Sequence, residues 1–211
     1  MTNESNSTAN LDTDEQKVSY GFGLQFGQQL VQNQFEGLDI DAVILGIQDV
    51  FLRKGSSIEQ DTLNTAYDTV GQKRKEAAEQ QAKQMAELGL RFLEGNAKRD
   101  GVETTASGLQ YEILEMGNGP LPNEKSTVKT HYHGTFIDGQ VFDSSVERNQ
   151  PAEFGVTQVI KGWTEALQLM PVGSKWRLVI PSELAYGSAG SPPTIPPNSV
   201  LVFELHLMDI L

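Results

Sequence analysis

All nine prolines of this 211-residue chain fall at or after Pro120. Proline lacks a backbone N–H and clashes with the preceding helical turn, so it is expelled from helix interiors and collects at turns and strand edges. It averages about 5% of ordinary sequence, so its absence from Met1 to Gly119 predicts a helical N-terminal part followed by a strand-and-turn C-terminal part. The expected fold class is α+β, with the boundary near Asp100-Gly101, a pair suited to a helix stop and turn.

In the first part, Val18, Phe22, Phe26 and Leu30 recur every fourth residue and mark one face of a helix over residues 17–34. A second helix is expected to be capped by Asp39 or Asp41, to carry Val43, Ile44, Ile47, Val50 and Phe51 on its apolar face, and to stop at Gly55. Ser57 with Gln60 has the spacing of a capping box, opening a third helix that meets no breaker before Asp100-Gly101. If continuous it is about 43 residues and about 64 Å long, at 1.5 Å of rise per residue. Its middle, residues 72–87, is built from Gln, Lys, Glu and Ala, with Glu79 and Lys83 at the favourable four-residue spacing. A helix polar all round bridges domains through solvent. The expected organisation is a flexible N-terminus at 1–16, a helical dimerisation domain at 17–70, an exposed connecting part of the long helix at 71–100, and a second domain at 101–211.

Two short helices and the start of a third make a small core, yet they carry Tyr20, Phe22, Phe26, Phe35 and Phe51. Surplus apolar surface on a small unit calls for a partner, and a homodimer through these helices is the expected arrangement. A monomeric three-helix unit is the alternative.

Composition removes several function classes. The net charge of −12 is split evenly, −6 on either side of the Asp100-Gly101 junction. Such a surface repels phosphate backbones, and no basic run exceeds Lys73-Arg74-Lys75, so nucleic acid is not an expected partner. With no cysteine, thiolate catalysis, disulfides and cysteine metal sites are excluded. No apolar run reaches the roughly 18 residues of a membrane span. Residues 1–16 are polar, unlike a secretory signal, so a cytoplasmic location is expected, with the periplasm as the alternative if a signal has been removed.

From Leu109 onward, alternating segments recur at 109–114, 128–136, 175–180 and 200–208, separated by turns such as Asp138-Gly139, which predicts an antiparallel sheet. The stretch 158–170 instead has helical spacing in Ile160, Trp163, Leu167 and Met170, so one short helix is expected against the sheet. Reactive groups are few. Asp143, with Arg148 five residues on, could be an orienting ion pair or a plain surface pair. His131 and His133 share a strand face and could chelate a metal, but no third ligand is identifiable, and a solvent-facing pair is the simpler reading. Gly21-Phe22-Gly23-Leu24-Gln25-Phe26-Gly27 fails as a dinucleotide loop, since its last spacing is wrong and no strand precedes it. Ser144 and Ser145 lack a nearby base in sequence.

Six segments stand in a telling order: Tyr132-His133-Gly134, Val141-Phe142-Asp143-Ser144-Ser145, Val159-Ile160-Lys161-Gly162-Trp163, Leu184-Ala185-Tyr186-Gly187, Ile195-Pro196-Pro197 and Leu201-Val202-Phe203-Glu204. Together they resemble the FKBP-type peptidyl-prolyl cis-trans isomerases over residues 105–211. The helical half resembles, by pattern, the dimerisation region and long helix of the Mip-like dimeric bacterial members. The resemblance implies an antiparallel half-barrel sheet wrapped around a short helix with an aromatic pocket between them. Carried over by position, it implies a catalytic set of Asp143, Tyr186, Tyr132, Phe142 and Trp163. Arg148, Phe154, Val159, Ile160, Ala185, Ile195 and Phe203 would line the substrate. Trp163 would be the floor, and Tyr186 would donate its hydroxyl to the substrate carbonyl. It further implies proline-containing polypeptides as partners, binding of macrocyclic inhibitors, and no cofactor or metal. Ala152 departs from the family's pattern where an aromatic is common, as do Ser191 and Thr194 in the loop over the site, which implies a more open rim. A holdase chaperone or a proline-binding adaptor with little turnover are the competing readings.

Overall fold

The computed structural model describes residues 10–211. Contacts divide the chain into two compact units, with the division after Lys75.

The first unit is helical. Helix α1 spans Asp14–Gln32 and opens on a capping box: Thr13 Oγ accepts from the Gln16 N–H at 3.3 Å, and Gln16 Oε1 accepts from the Thr13 N–H at 3.0 Å. The segment expected to be flexible at 1–16 therefore already contains the first helical residues, while residues 1–9 lie outside the described ones. The start was hidden because a cap made of Thr and Gln carries no apolar period. Helix α2, Ile40–Phe51, is capped by Asp39, whose carboxylate accepts from the N–H groups of Asp41 and Ala42.

Helix α3 runs from Gln60 to Asn96, 37 residues. The Ser57 capping box does not form, because the Ser57 hydroxyl donates to Asp49 of α2 at 2.6 Å and ties the connecting loop to that helix. Asp49 is the only buried residue among those described up to Lys75. The apolar faces stand open: Val18, Phe22 and Phe26 are each more than half exposed, and Phe51 is 84% exposed.

The second unit contains the rest of α3 and an antiparallel sheet. Its strands are β1 (Val102–Thr104), β2 (Gln110–Glu115), β3 (Thr127–Thr135), β4 (Val141–Ser144), β5 (Ala152–Gly155), β6 (Lys175–Ile180) and β7 (Leu201–Ile210). They lie in the order β1-β2-β6-β7-β3-β4, with β5 paired to the start of β3. Helix α4, Lys161–Leu169, fills the concave face. Along β3 burial alternates residue by residue, with Val128, Thr130, Tyr132 and Gly134 inward and Lys129, His131 and His133 on the other face. That is the period of a pleated strand with one face on a core. Trp163, Ala166, Leu167 and Met170 have helical spacing and meet Leu178, Ile180, Leu201, Phe203 and Leu205 in one buried cluster.

Alternation fails at the end of β6 and the start of β7, where Val179 and Val202 are buried alongside Leu178, Ile180, Leu201 and Phe203. A strand covered on both faces loses its polar side. The cover is the last part of α3, whose Phe92 and Leu93 pack on Val179, Val200 and Val202. Here the expectation of an exposed connector over 71–100 fails at its far end, since Gly89 and Asn96 are buried. Asn96 donates to Gln110 Oε1 at 2.8 Å, Gln110 donates to the Leu93 carbonyl at 3.0 Å, and Arg99 and Arg177 both donate to Asn96 Oδ1. The polar run that suggested a bridge stops before these turns, and the sparse apolar residues beyond it suffice once a sheet faces them.

Candidate active site

Between the concave face of the sheet and α4, five elements bring aromatic rings together. Tyr132 comes from β3, Phe142 from β4, Phe154 from β5, Trp163 from the first turn of α4 and Phe203 from β7. Trp163 lies at the centre: its ring centroid is 5.3 Å from Tyr132, 5.8 Å from Phe154 and 5.2 Å from Phe203, each met edge-on. Phe142 meets Phe203 at 5.5 Å with planes 89° apart. Such perpendicular contacts are the favoured arrangement of aromatic quadrupoles. Trp163, Tyr132, Phe203 and Ile195 are buried, while Phe142, Phe154, Val159, Ile160 and Ala185 are partly buried and pack against them. The box is therefore closed at its base and open at one side.

The turn before α4 is held by its own bonds. The Ile160 carbonyl accepts from the Trp163 and Thr164 N–H groups, and the Thr164 hydroxyl donates to the Val156 carbonyl at 2.7 Å. Val159 and Ile160 therefore precede the helix, whereas the expected helical stretch began at 158; the bonds of this turn keep both side chains against the aromatic cluster. Across the box, the chain between β6 and β7 carries Ala185, Tyr186 and Ile195. Ser191 and Ile195 exchange both backbone hydrogen bonds, at 2.8 and 2.9 Å. Tyr186 is 41% exposed and stands outside the buried cluster. Ala152 is half-buried, Ser191 is partly exposed and Thr194 is exposed, so small side chains stand where a bulkier rim was the family expectation.

One polar group breaks the apolar wall. The Tyr132 hydroxyl donates to Asp143 Oδ2 at 2.6 Å, Arg148 donates to the same hydroxyl at 2.9 Å, and Arg148 also pairs with Asp143. The guanidinium stands 5.8 Å from the centre of the Tyr132 ring. Burial works to raise the Asp143 carboxyl, but the Tyr132 hydroxyl and Arg148 outweigh it, and the group titrates below the ordinary carboxylate value. Burial, and then the bond to Asp143, pushes the Tyr132 phenol up. At neutral pH the trio is a carboxylate, a neutral phenol and a guanidinium, with the negative charge at the edge of an aromatic box.

Gly134, one residue of the Tyr132-His133-Gly134 segment, has a steric task in the structure. It is the register partner of Phe203, and a Cβ there would lie 2.8 Å from both Phe142 Cζ and Phe203 Cε1. A glycine inside a strand is the available signal for such a close approach.

The other face of β3 holds the histidines. His131 and His133 pair through Nδ1 with Ser145 and Ser144, each at 3.0 Å, so both serines do have an imidazole within reach. Ser145 is fully buried, accepts the Tyr132 N–H and donates to the Tyr132 carbonyl, which makes it a staple between β3 and the end of β4. His206 joins them from β7 in a shallow cavity of about 300 Å³ with Lys175 and Glu204. Among the described residues no group of three or more His, Asp or Glu side chains is placed to hold a metal ion. No described helix is long and apolar enough to cross a membrane.

Comparison with known proteins agrees with this geometry. Residues 119–208 match the model of the FKBP-type peptidyl-prolyl cis-trans isomerase domain, and residues 15–113 match the domain amino-terminal to it. The chain is 48% identical over 204 residues to the FKBP-type 22 kDa peptidyl-prolyl cis-trans isomerase of Escherichia coli, covering 97% of this chain and 99% of that protein. It is 40% identical to the outer membrane protein MIP of Legionella longbeachae, over 95% of this chain and 87% of that one. The crystal structure of FkpA from Escherichia coli superposes with a TM-score of 0.70 at 38% identity, covering 94% and 97% of the two chains. A box of aromatic rings on a half-wrapped sheet, a helical domain before it and this likeness along nearly the whole chain lead to one conclusion: the chain belongs to the FKBP-type peptidyl-prolyl cis-trans isomerases and catalyses that reaction.

Proposed function

We propose that proline is held in the box floored by Trp163 and walled by Phe142, Phe154, Val159, Ile160 and Phe203, and that Asp143 acts on the bond being turned. The hydrogen-bonded trio of Tyr132, Asp143 and Arg148 beside this box carries the reading. A peptide bond resists rotation by about 18–20 kcal/mol because its nitrogen shares a lone pair with the carbonyl. Rotation needs no nucleophile. The twisted amide has lost conjugation and is less dipolar than either planar form, so moving it from water into an aromatic box favours the transition state. Tyr186, at the rim, is in reach of the chain entering the box and supplies a hydroxyl donor to the substrate carbonyl. Arg148 and the Tyr132 hydroxyl hold the Asp143 carboxylate in one orientation, so its field costs no reorganisation as the amide twists. Ala185 and Ile195 complete the apolar side.

The assignment is tested by exchange spectroscopy on a short Xaa-Pro peptide with Asp143→Ala. Turnover should fall much more than affinity. Equal losses in both would leave Asp143 a structural role only. A holdase or adaptor reading would be favoured by a wild-type protein that binds the peptide and does not turn it over.

The open faces of α1 and α2 support a homodimer through residues 17–70, with each pocket presented to a folding chain. Proline-containing polypeptides are then held by several weak contacts at once, raising their effective concentration at the box. Macrocyclic inhibitors that mimic a twisted proline amide should occupy the same box and compete with the peptide. A cytoplasmic location stands as a proposal with the periplasm as its alternative; fractionation of cells expressing the full-length product decides between them.

A further inference from the structure

We infer that Asn198 is a positioning residue for the isomerase site, tying the loop that carries Tyr186 and Ile195 to the carbonyl of Ala82 on helix α3. The inference rests on the placement of those two residues at the pocket.

The loop between β6 and β7 leaves and re-enters the core at two points that meet. Asn198 donates its backbone N–H to the Gly187 carbonyl at 2.9 Å, immediately after Tyr186. The same residue donates its side-chain Nδ2 to the carbonyl of Ala82 at 3.1 Å, across 116 positions of sequence. Its φ is +59°, the left-handed region that asparagine tolerates better than other residues with a Cβ. That conformation lets the backbone close the loop while the side chain reaches the helix.

The following residues extend the attachment. The buried Ser199 hydroxyl donates to the Pro196 carbonyl at 2.7 Å. Val200 packs so closely on α3 that a Cβ on Gly89 would lie 2.8 Å from its Cγ2. Ala82 and Gly89 stand about two turns apart on the helix, so the loop exit is gripped at two levels.

Tyr186 needs such a grip because it is outside the buried cluster, and core packing does not fix it. Its surroundings are held instead by backbone bonds: the Gly190 N–H to its carbonyl at 3.2 Å, and the Gly187–Asn198 closure. Beyond Gly190 the chain turns tightly, with φ of +65° and the Ile195 carbonyl 2.4 Å from where a Cβ would sit. Helix α3 is thereby part of the catalytic frame, and a change in its seat on Val200 reaches Tyr186 by way of Ser199, Asn198 and Gly187.

The test uses full-length protein. Asn198→Gly keeps the left-handed backbone and the N–H bond to Gly187 while removing Nδ2. Loss of one such bond should weaken binding of a short Xaa-Pro peptide by about three- to tenfold, with kcat within about twofold of wild type. Amide exchange should speed up at Gly190 and Asn198 and stay unchanged at Phe203 in β7. Gly89→Ala, which pushes Val200 from the helix side, should weaken binding in the same way, and the double variant should lose less than the product of the two because both release one attachment. Wild-type binding and exchange in Asn198→Gly, or fully multiplicative losses, overturn the inference. If Gly89→Ala does not fold, Asn198→Gly decides alone. Tyr186→Phe serves as the control: weakened binding there with none in Asn198→Gly sinks the attachment only, whereas wild-type behaviour in both sinks the assignment of Tyr186 as well.

Discussion

In the role proposed for Asp143, its charge state and those of its two partners govern how the enzyme responds to acid. Because the Asp143 carboxyl is held below its ordinary value in the fold, its contribution is present above the unfolded carboxyl's pKa of about 3.9 and is lost as pH falls toward the lower folded value. Peptide turnover should therefore be level from neutral pH down to about 4 and drop below that; a pH–rate profile falling already near pH 6 would deny Asp143 this role. Tyr132 has the opposite sign. Its raised phenol stabilises the fold below about pH 10 and ceases to do so as pH rises through its folded value. Gly134 offers a purely steric test. Gly134→Ala places a methyl against Phe142 and Phe203, and overpacking of this kind costs about 1–3 kcal/mol. A lowered urea midpoint with a larger loss of peptide turnover is expected, since the two displaced rings are walls of the box. Unchanged turnover would mean that the rings give way without cost.

Helix α3 contains two kinds of helix in one run. From Gln72 to Gln81 its residues are exposed almost throughout, whereas Gly89, Phe92, Leu93 and Asn96 are built into the sheet domain. A chain cut before Gly101 should lose the cover of Val179, Val200 and Val202 and leave Gln110 and Arg177 without Asn96. At about 1.5–3 kcal/mol for each large apolar side chain buried, residues 76–211 should be more stable than residues 101–211 by about 3 kcal/mol or more. Urea denaturation of the two fragments measures this. Equal stability would make the contact of α3 with the sheet a loose one.

The whole molecule pairs a well-packed sheet domain with a helical unit in which Asp49 alone is buried among the described residues up to Lys75. Such a unit does not bury enough apolar surface to offset the entropy of ordering its own chain. In the homodimer proposed above, a second copy laid on Phe22, Phe26, Ile44 and Ile47 would supply what is missing. Phe26→Glu with Ile44→Glu should shift the protein from dimer to monomer in sedimentation, leave turnover of a short peptide within about twofold, and slow catalysis of a proline-limited refolding reaction about tenfold or more, avidity gains reaching about 10²–10⁴. A monomeric wild type would end this account. Full refolding activity in a monomeric variant would leave the dimer standing and remove its part in client capture.

Much of this was legible in the chain itself. Proline placement separated the helical from the stranded part, period-2 alternation located β2, β3, β6 and β7, and helical spacing in 158–170 found α4, because these are local consequences of backbone geometry. Tyr132, Phe142, Asp143, Trp163 and Phe203 were visible through six short segments in order, whereas Phe154 was reached only by position from the family resemblance. Local patterns could not show the neighbours of each element. Val179 and Val202 are buried on a face that alternation assigns to solvent, since a helix from far earlier in the chain covers it. Ser57 bonds to Asp49 instead of capping α3, Ser144 and Ser145 meet imidazoles across a strand pair, and Asn198 reaches Ala82. Each of these joins residues that no periodicity links. The sequence by itself determined the order and type of the elements and the chemical character of the box; only the tertiary structure decided which faces were covered and which side chains held the site in place, because burial and long-range hydrogen bonds exist only once distant segments have been brought together.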